Sequence, residues 1–241
     1  DGFTLKDLVT FDMKHNFANK EQNRDGDNHN NSWNHGIEGP TTNILINDLR
    51  KRQQKNLLLS LLISKGVPML LMGDEIGRSQ GGNNNSWCQN NLLGWMNWDH
   101  SQQDLELLDY FKYVIKIRKK LIKIFNPTFL PSNISDEINP SYHWHGTKLD
   151  SPDWSSWSHT VAFSINKGKT NPLVWIGFNA YSKSIDFQLP KCKYNWLKVI
   201  DTSMSDIFEP LTINQKSVSI KSRSSLLIIS EGIFGAKNNL F

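Results

Sequence analysis

Residues 67 to 75 read VPMLLMGDE, an unbroken apolar run closed by a glycine and two acids. The run follows directly on a stretch from Asn43 to Lys65 in which apolar residues recur at 46, 49, 57, 58, 61 and 62, with Thr42 or Asn43 placed to cap the start and Gly66 the end. A short segment that is apolar on both faces and arrives straight after a helix has the character of a parallel strand buried between layers. The pattern therefore predicts a helix over 43 to 65 and then a buried parallel strand. A second helix is predicted from about 102 to 125, carried by Leu105, Leu108, Phe111, Ile115 and Leu121 and stopped by Asn126 and Pro127. Helix, strand, long loop and helix make the repeating unit of an α/β barrel or a doubly wound sheet.

Beyond residue 127 the texture changes. TVAFSIN (160 to 166), PLVWIGFNA (172 to 180), SIDFQL (184 to 189), NWLKVID (195 to 201), SVSIK (217 to 221) and SLLIIS (225 to 230) are short, β-rich and separated by turn residues. This predicts an antiparallel sandwich or barrel. A domain boundary is expected near 127 to 140, giving domains of 1–130 and 131–241.

Bulk composition excludes several classes. No apolar run reaches the roughly 20 residues of a membrane-spanning helix. The charge of +4, from 27 basic against 23 acidic residues, is too mild to argue for a nucleic-acid partner. The densest basic stretch, KIRKKLIK at 116 to 123, alternates with apolar residues at helical spacing and reads as a solvated helix face. Cys88 and Cys192 match no metal or redox spacing, so reduced thiols in a cytosol-like compartment are expected. Asn-x-Ser sequons at Asn30, Asn84 and Asn133 would matter only after secretion, for which no signal is seen. The sequence starts at Asp1 without an initiator methionine and runs at once into motif-like text, so a fragment is expected.

Two loops share an unusual make-up. EQNRDGDNHNNSWNHG, residues 21 to 36, holds one large apolar side chain, Trp33, among amides, acids, an arginine and two histidines. After Asp74 and Glu75 comes IGRSQGGNNNSWCQNN, followed by Trp95 and Trp98. Amides that donate and accept at once, with carboxylates and arginine, suit a ligand dense in hydroxyls. The indoles of Trp33, Trp87 and Trp95 offer an apolar face with a polar edge, suited to lying against a sugar ring. Ordinary loop formation explains either stretch alone equally well; the two together favour a carbohydrate. DGDNHN, from Asp25, resembles the start of a calcium loop, but Asn30 stands at the sixth position and Gly36 at the twelfth, which excludes an EF-hand and leaves only a looser oxygen-ligand site open. His143 and His145 share a strand face, but with no third ligand in view a surface or packing role is favoured over zinc. Asp1, Asp25, Asp27, Asp74 and Glu75 are candidates for carboxylate chemistry, with caps or loop braces as the commoner role.

Long matches carry a resemblance. DGFTLKDLVTFDMKHNFANKEQNRDGDNHNNSWNHGIEG, GVPMLLMGDEIGRSQGGNNNSWCQNN, WMNWD, PDWSSWSHTVAFSI, VWIGFNAY and VIDTS together resemble the isoamylase and glycogen-debranching branch of the α-amylase superfamily, over nearly the whole chain. The resemblance implies the C-terminal portion of a (β/α)8 barrel, with most of the barrel absent, followed by an antiparallel β-domain. It implies that Asp1 is the aspartate that ends the seventh strand and stabilises the oxocarbenium-like transition state, and that PMLLMGDE is the eighth strand. Asp74 and Glu75 would then brace the loops at its mouth, while the nucleophile and general acid belong to strands not present. The loop after the seventh strand becomes a polar wall of the glucan cleft. Asn28, His29, Asn30 and Trp33, with Asn84 and Trp87 from the second loop, are its candidate substrate contacts.

For the intact parent the resemblance implies retaining hydrolysis of α-1,6 branch links in glycogen, limit dextrin or an amylopectin-like glucan, by two carboxylates ~5 Å apart. No cofactor is expected, a calcium ion being the one open possibility, and neither nucleic acid nor membrane is expected as a partner. The location implied is the bacterial cytoplasm, or the plastid stroma in a plant or alga. Alternatives are an α-glucanotransferase or a hydrolase of trehalose-linked ends from the same superfamily, and a non-catalytic glucan-binding subunit.

Overall fold

The structure is a computed structural model describing residues 2–125, 140–167, 171–204 and 210–233. It divides into two compact units, Asp1–Leu62 with Val67–Lys116, and Ile63–Gly66 with Ile117–Phe241. The division falls inside a helix; residues 126 to 139, which hold the expected boundary, and Asn133 lie outside the described residues.

The first unit is built from a one-turn helix α1 (Leu5–Leu8), helix α2 (Ile44–Ile63), the first part of α3 (Gln102–Phe125) and long irregular loops. Asn43 caps α2, its Oδ1 accepting the N–H groups of Leu45 and Ile46 at 3.0 and 3.3 Å. Ser101 caps α3 reciprocally with Asp104: the Asp104 N–H donates to the Ser101 hydroxyl at 3.3 Å and the Ser101 N–H to the Asp104 carboxylate at 2.8 Å. The buried stripes differ from those expected. On α3 they are Leu107, Tyr110, Val114, Ile117 and Leu121, while Leu105 is 39% exposed. On α2 they include Arg50 and Gln54 beside Leu58 and Leu62. Both helices carry apolar residues on more than one face, so periodicity alone offers several stripes of similar quality. In the basic stretch, Lys116 and Lys119 are exposed as expected, but Arg118 turns inward. Its guanidinium donates to the Ser64 and Gly66 carbonyls at 3.0 and 2.6 Å, just past the C-terminal end of α2.

The expected parallel strand is absent. Residues 67 to 71 form no strand, and Val67, Met69, Leu71 and Met72 are 89%, 88%, 46% and 63% exposed. A strand exists only where a neighbour takes up its N–H and C=O groups, and every paired strand among the described residues is antiparallel and lies in the second unit. The barrel portion expected over 1–130 is therefore not formed as a sheet by the described residues.

The second unit is the expected antiparallel β-domain. Strands β1 (Pro140–His145), β2 (Thr160–Lys167), β3 (Asn171–Asn179), β5 (Trp196–Asp201), β6 (Leu211–Ile213) and β8 (Ser224–Ser230) form a six-stranded sheet in the order β1-β2-β3-β8-β5-β6, and β4 (Ile185–Gln188) pairs with β7 (Ser217–Ile220). Register sets the core. Trp175 lies opposite Ser164 on β2 and Ile228 on β8, so Ala162, Trp175, Leu226 and Ile228 share one face. They pack with Phe187 and Ile220 of the small sheet, Trp175 meeting Phe187 edge to face at 5.9 Å and 73°. Gly177 serves this packing by its lack of a side chain: a Cβ there would lie 2.5 Å from the Trp175 ring and 2.6 Å from Ile220. Buried Asn179 ties the turns together. Its amide donates to the carbonyls of Lys183, Ile220 and Lys221 at 2.8, 3.0 and 3.0 Å, and its oxygen accepts from the Tyr181 N–H at 2.9 Å.

The two histidines differ in burial: His143 is half-buried, its ring hydrogen-bonded to Ser141 Oγ at 3.0 Å. His145 is enclosed, its Nδ1 accepting the Asp150 N–H at 2.9 Å, which leaves Nε2 as the donor to Ser164 Oγ at 3.0 Å. Ser164, His145 and Asp150 thus stand in the order of a nucleophilic triad with the proton polarity reversed, and Ser164 and His145 are enclosed. Both cysteines are free thiols. No described helix is long and apolar enough to cross a membrane.

Trp175→Ala empties the space between the two sheets and should lower unfolding stability by about 3–5 kcal/mol. A shift in the urea midpoint corresponding to less than about 1 kcal/mol would show that the small sheet does not depend on this ring.

Candidate functional site

The candidate site lies in the first unit, where two loops meet. One spans 11 to 40, between α1 and α2; the other spans 73 to 98, between α2 and α3. Reciprocal amide bonds join them. The Asn16 amide donates to Asn84 Oδ1 at 2.9 Å, while the Asn84 backbone N–H donates to Asn16 Oδ1 at 3.0 Å. Asn19 and Asn83 exchange side-chain bonds of 3.4 and 2.8 Å, and Asn19 also reaches the Asn85 carbonyl at 2.9 Å. An amide is donor and acceptor at once, so two asparagines close a two-bond pair that fixes both loops in one register. Gly26 permits the contact. It sits at φ +73°, and a Cβ on it would come 2.2 Å from Asn84 Oδ1.

Charged side chains hold the two loops from behind. Asp7, fully buried on α1, accepts from the Ser79 hydroxyl at 2.5 Å and from the N–H groups of Gln80 and Gly82 at 2.8 and 3.3 Å. Burial pushes its pKa up, against the lowering effect of these donors. Glu38 accepts from the N–H groups of Asp12 and Met13 at 2.8 and 3.1 Å, the Asn34 amide at 2.9 Å and the His15 ring at 2.9 Å. Partial burial raises this carboxyl, but the four donors outweigh it and hold it at about 2. Arg50 reaches from α2 to carbonyls at both ends of the first loop, those of Thr10, Asn34, Ile37 and Gly39. Within this frame Lys20, Gln22, Asn23, Asn31 and His35 adopt left-handed φ values of 50–62°. Such conformations persist only where surroundings impose them, and they concentrate at functional loops.

The residues singled out from sequence separate into two groups. Asn28 and His29 are exposed, Trp33 is 42% and Trp87 77% exposed, so their faces are open to a ligand. Trp33 lies against the His35 ring at 4.1 Å and its backbone N–H donates to the Leu8 carbonyl, which fixes where the indole stands. Asn30 is half-buried. Its Oδ1 accepts from Asn84 at 2.6 Å. Asn84 itself is 1% exposed with its amide and backbone engaged, so it braces the loops and presents nothing outward. Asp74 accepts the Leu5 N–H at 2.9 Å and Glu75 the Gly73 N–H at 2.9 Å; both brace backbone. Burial raises the pKa of Asp74. Asp1 lies outside the described residues, but the N–H of Gly2 donates to the Asn84 carbonyl at 2.7 Å. Asp7, His15, Glu38 and Arg50 were not singled out, and the one signal they left was that charged side chains flank a long polar loop.

Glu38 makes the first loop acid-sensitive. Its pKa lies below the ordinary 4.5, so the stability it lends is present above that pH and lost as pH falls toward about 2. Glu38→Gln should melt below the wild type at neutral pH, and the gap between the two melting curves should close as pH falls through that window. A gap that stays constant down to pH 2 would show that the ionised carboxylate is not what holds Asp12, Met13 and Asn34.

Comparison with known proteins adds three findings. Residues 143–230 match the family model "Isoamylase 1-3, C-terminal". The chain is 39% identical over 213 residues to the chloroplastic isoamylase 1 of rice, Oryza sativa subsp. japonica, covering 88% of this chain and 26% of that protein. It is also 39% identical to a glycogen debranching enzyme of Erwinia tasmaniensis, over 81% of this chain and 28% of that one. The chain thus spans about a quarter of the length of these relatives. Its fold is like that of a pullulanase from Bacillus acidopullulyticus, with a TM-score of 0.58 at 17% identity over 95% of this chain and 23% of that one. By sequence the chain is thus similar to isoamylases and glycogen debranching enzymes over most of its own length, and its residues 143–230 match an isoamylase-type C-terminal domain.

Proposed function

We propose that the whole protein is an α-glucan debranching hydrolase that cleaves α-1,6 branch linkages, and that residues 1–130 are the C-terminal part of its (β/α)8 barrel with 131–241 as the β-domain that follows. In this reading the apolar run 67 to 72 is the eighth barrel strand. Its uncovered side chains and its position immediately before Asp74, which holds the start of α1, support that role. The nucleophile and general acid come from parts of the whole protein outside these 241 residues. Asp1 binds the sugar hydroxyls and stabilises the oxocarbenium-like transition state. One carboxylate attacks the anomeric carbon while the other protonates the departing oxygen, and water then releases the covalent intermediate.

The reading is carried by one observation. The residue next to Asp1 is fastened by its backbone to Asn84, and Asn84 is the buried link between the two amide- and tryptophan-rich loops. The two loops joined by that link carry the exposed Asn28, His29, Trp33 and Trp87 as hydroxyl-binding and ring-stacking groups. Asn30 and Asn84 act by holding those groups, as Asp74 and Glu75 do by bracing backbone. The substrate is a branched α-glucan, whether glycogen, limit dextrin or amylopectin-like, in agreement with the naming of the relatives. The two-carboxylate chemistry uses no cofactor. The rice relative's chloroplastic naming favours the plastid for a plant or algal source.

Asp1→Ala in the full-length enzyme should lower kcat on a branched glucan by several orders of magnitude with the fold intact by circular dichroism. Near-normal turnover would remove Asp1 from the mechanism. Product analysis of the wild type should show free linear chains; redistribution of chains without net release would make the protein a transferase.

A further inference from the structure

Lys14 stands in an arrangement that neither the debranching chemistry nor the amide pairs require. Its Nζ donates to three consecutive backbone carbonyls, those of Arg24, Asp25 and Gly26, at 3.3, 2.7 and 3.4 Å. An ammonium group has three protons, so donors and acceptors match in number. Consecutive carbonyls turned toward one point are what oxygen-lined loops present to a bound cation. Those of Asp25 and Gly26 sit in DGDN, the stretch whose sequence resembles the start of a calcium loop, and Arg24 immediately precedes it.

The neighbouring carboxylate needs the same charge. Asp25 Oδ2 accepts from Asn19 at 2.7 Å and from Asn85 at 3.2 Å, whereas its Oδ1 is enclosed and finds no hydrogen-bond partner among the described residues. Hydrogen bonds, that from Asn19 foremost, and the nearby Lys14 charge keep this carboxyl below its ordinary pKa. The backbone returns the contact: the Asn23 amide donates to the Lys14 carbonyl at 3.2 Å, and the Asn23 oxygen accepts the Asn16 N–H at 2.7 Å. Residues 14 to 16 and 23 to 26 are thereby clasped around one positive charge. The next residues along the chain are Asp27, Asn28, His29 and Asn30.

We propose that the Lys14 ammonium is the built-in cation of this loop, doing with a covalently tethered charge what a bound metal ion does in an oxygen-lined turn, and that it sets the shape in which Asn28, His29 and Asn30 are presented. Lys14 is a positioning residue; it reaches a sugar only through the loop. The part of this concerning ligand rests on the glucan reading above, whereas the part concerning loop order does not.

The test uses the full-length protein with Lys14→Met, which keeps the stem and removes charge and donors, and Lys14→Ala, which opens the space. Backbone amide exchange within residues 24 to 30 should rise about ten- to a hundredfold in both variants, the equivalent of one or two charge-assisted hydrogen bonds, with exchange in the β-domain unchanged. Propylammonium added to Lys14→Ala should restore the protection, and a tetraalkylammonium salt at equal ionic strength should not. Unchanged exchange within 24 to 30 overturns the proposal. So does a rise spread evenly over the molecule that propylammonium fails to reverse. Maltohexaose binding is measured alongside: lost protection with weakened binding supports both readings, and lost protection with unaltered binding retains the role of Lys14 while removing the glucan from this loop.

Discussion

Two pairs of asparagines, Asn16 with Asn84 and Asn19 with Asn83, are the interaction on which the first unit's loops depend. The loop between α1 and α2 contains no regular structure beyond a single 3-10 turn at Phe17–Asn19, so its peptide groups have no ladder to join. Side chains take over that task. Amides join loop to loop, and Glu38 and Arg50 gather the N–H and C=O groups at the loop's ends. A wall built in this way is stiff without being apolar. It can therefore line a wet, hydroxyl-rich cleft, where a hydrophobic core would have to stay covered.

The second unit is governed by different physics. Register brings Trp175, Ala162, Leu226 and Ile228 to one face, and the small β4-β7 sheet closes over them. Polar groups are few inside, and those present are tied down. Asn179 serves three carbonyls, and His145 lies between a backbone N–H and Ser164. The Oδ1 of Asn166 and the indole N–H of Trp175 are exceptions, enclosed without a hydrogen-bond partner among the described residues. A phenylalanine would avoid that cost, so the volume of the larger ring is what the space between the sheets uses.

Much of this was legible in the sequence, and the failures have identifiable causes. Six of the β-strands were read from alternation and turn residues, because a half-buried strand writes its two faces directly into the chain. The helices were located and Leu58, Leu62 and Leu121 are buried as expected, but the rest of the buried stripes lie elsewhere, since apolar residues on several faces leave the choice to tertiary packing. The strand expected at 67 to 71 failed for the opposite reason. Its residues specify burial on both sides, yet burial and pairing are supplied by neighbours, and local composition cannot report whether they are there. Asn84 was read as a ligand contact because exposed and enclosed asparagines look alike in a sequence. Lys14, Glu38 and Arg50 went unnoticed because side chains that bind peptide groups carry no spacing rule.

The amide pairs between the loops carry no formal charge. Ions in solution do not weaken them, and no proton equilibrium within the range where carboxylates titrate can open them. The two carboxyl groups, Asp7 and Glu38, lie behind the seam and each fastens one loop separately. Glu38, held at about 2, releases the first loop only in strong acid, whereas the raised pKa of Asp7 lets it take up a proton earlier without cost to the fold, so strong acid slackens the support of the first loop while the two halves of the lining keep their alignment.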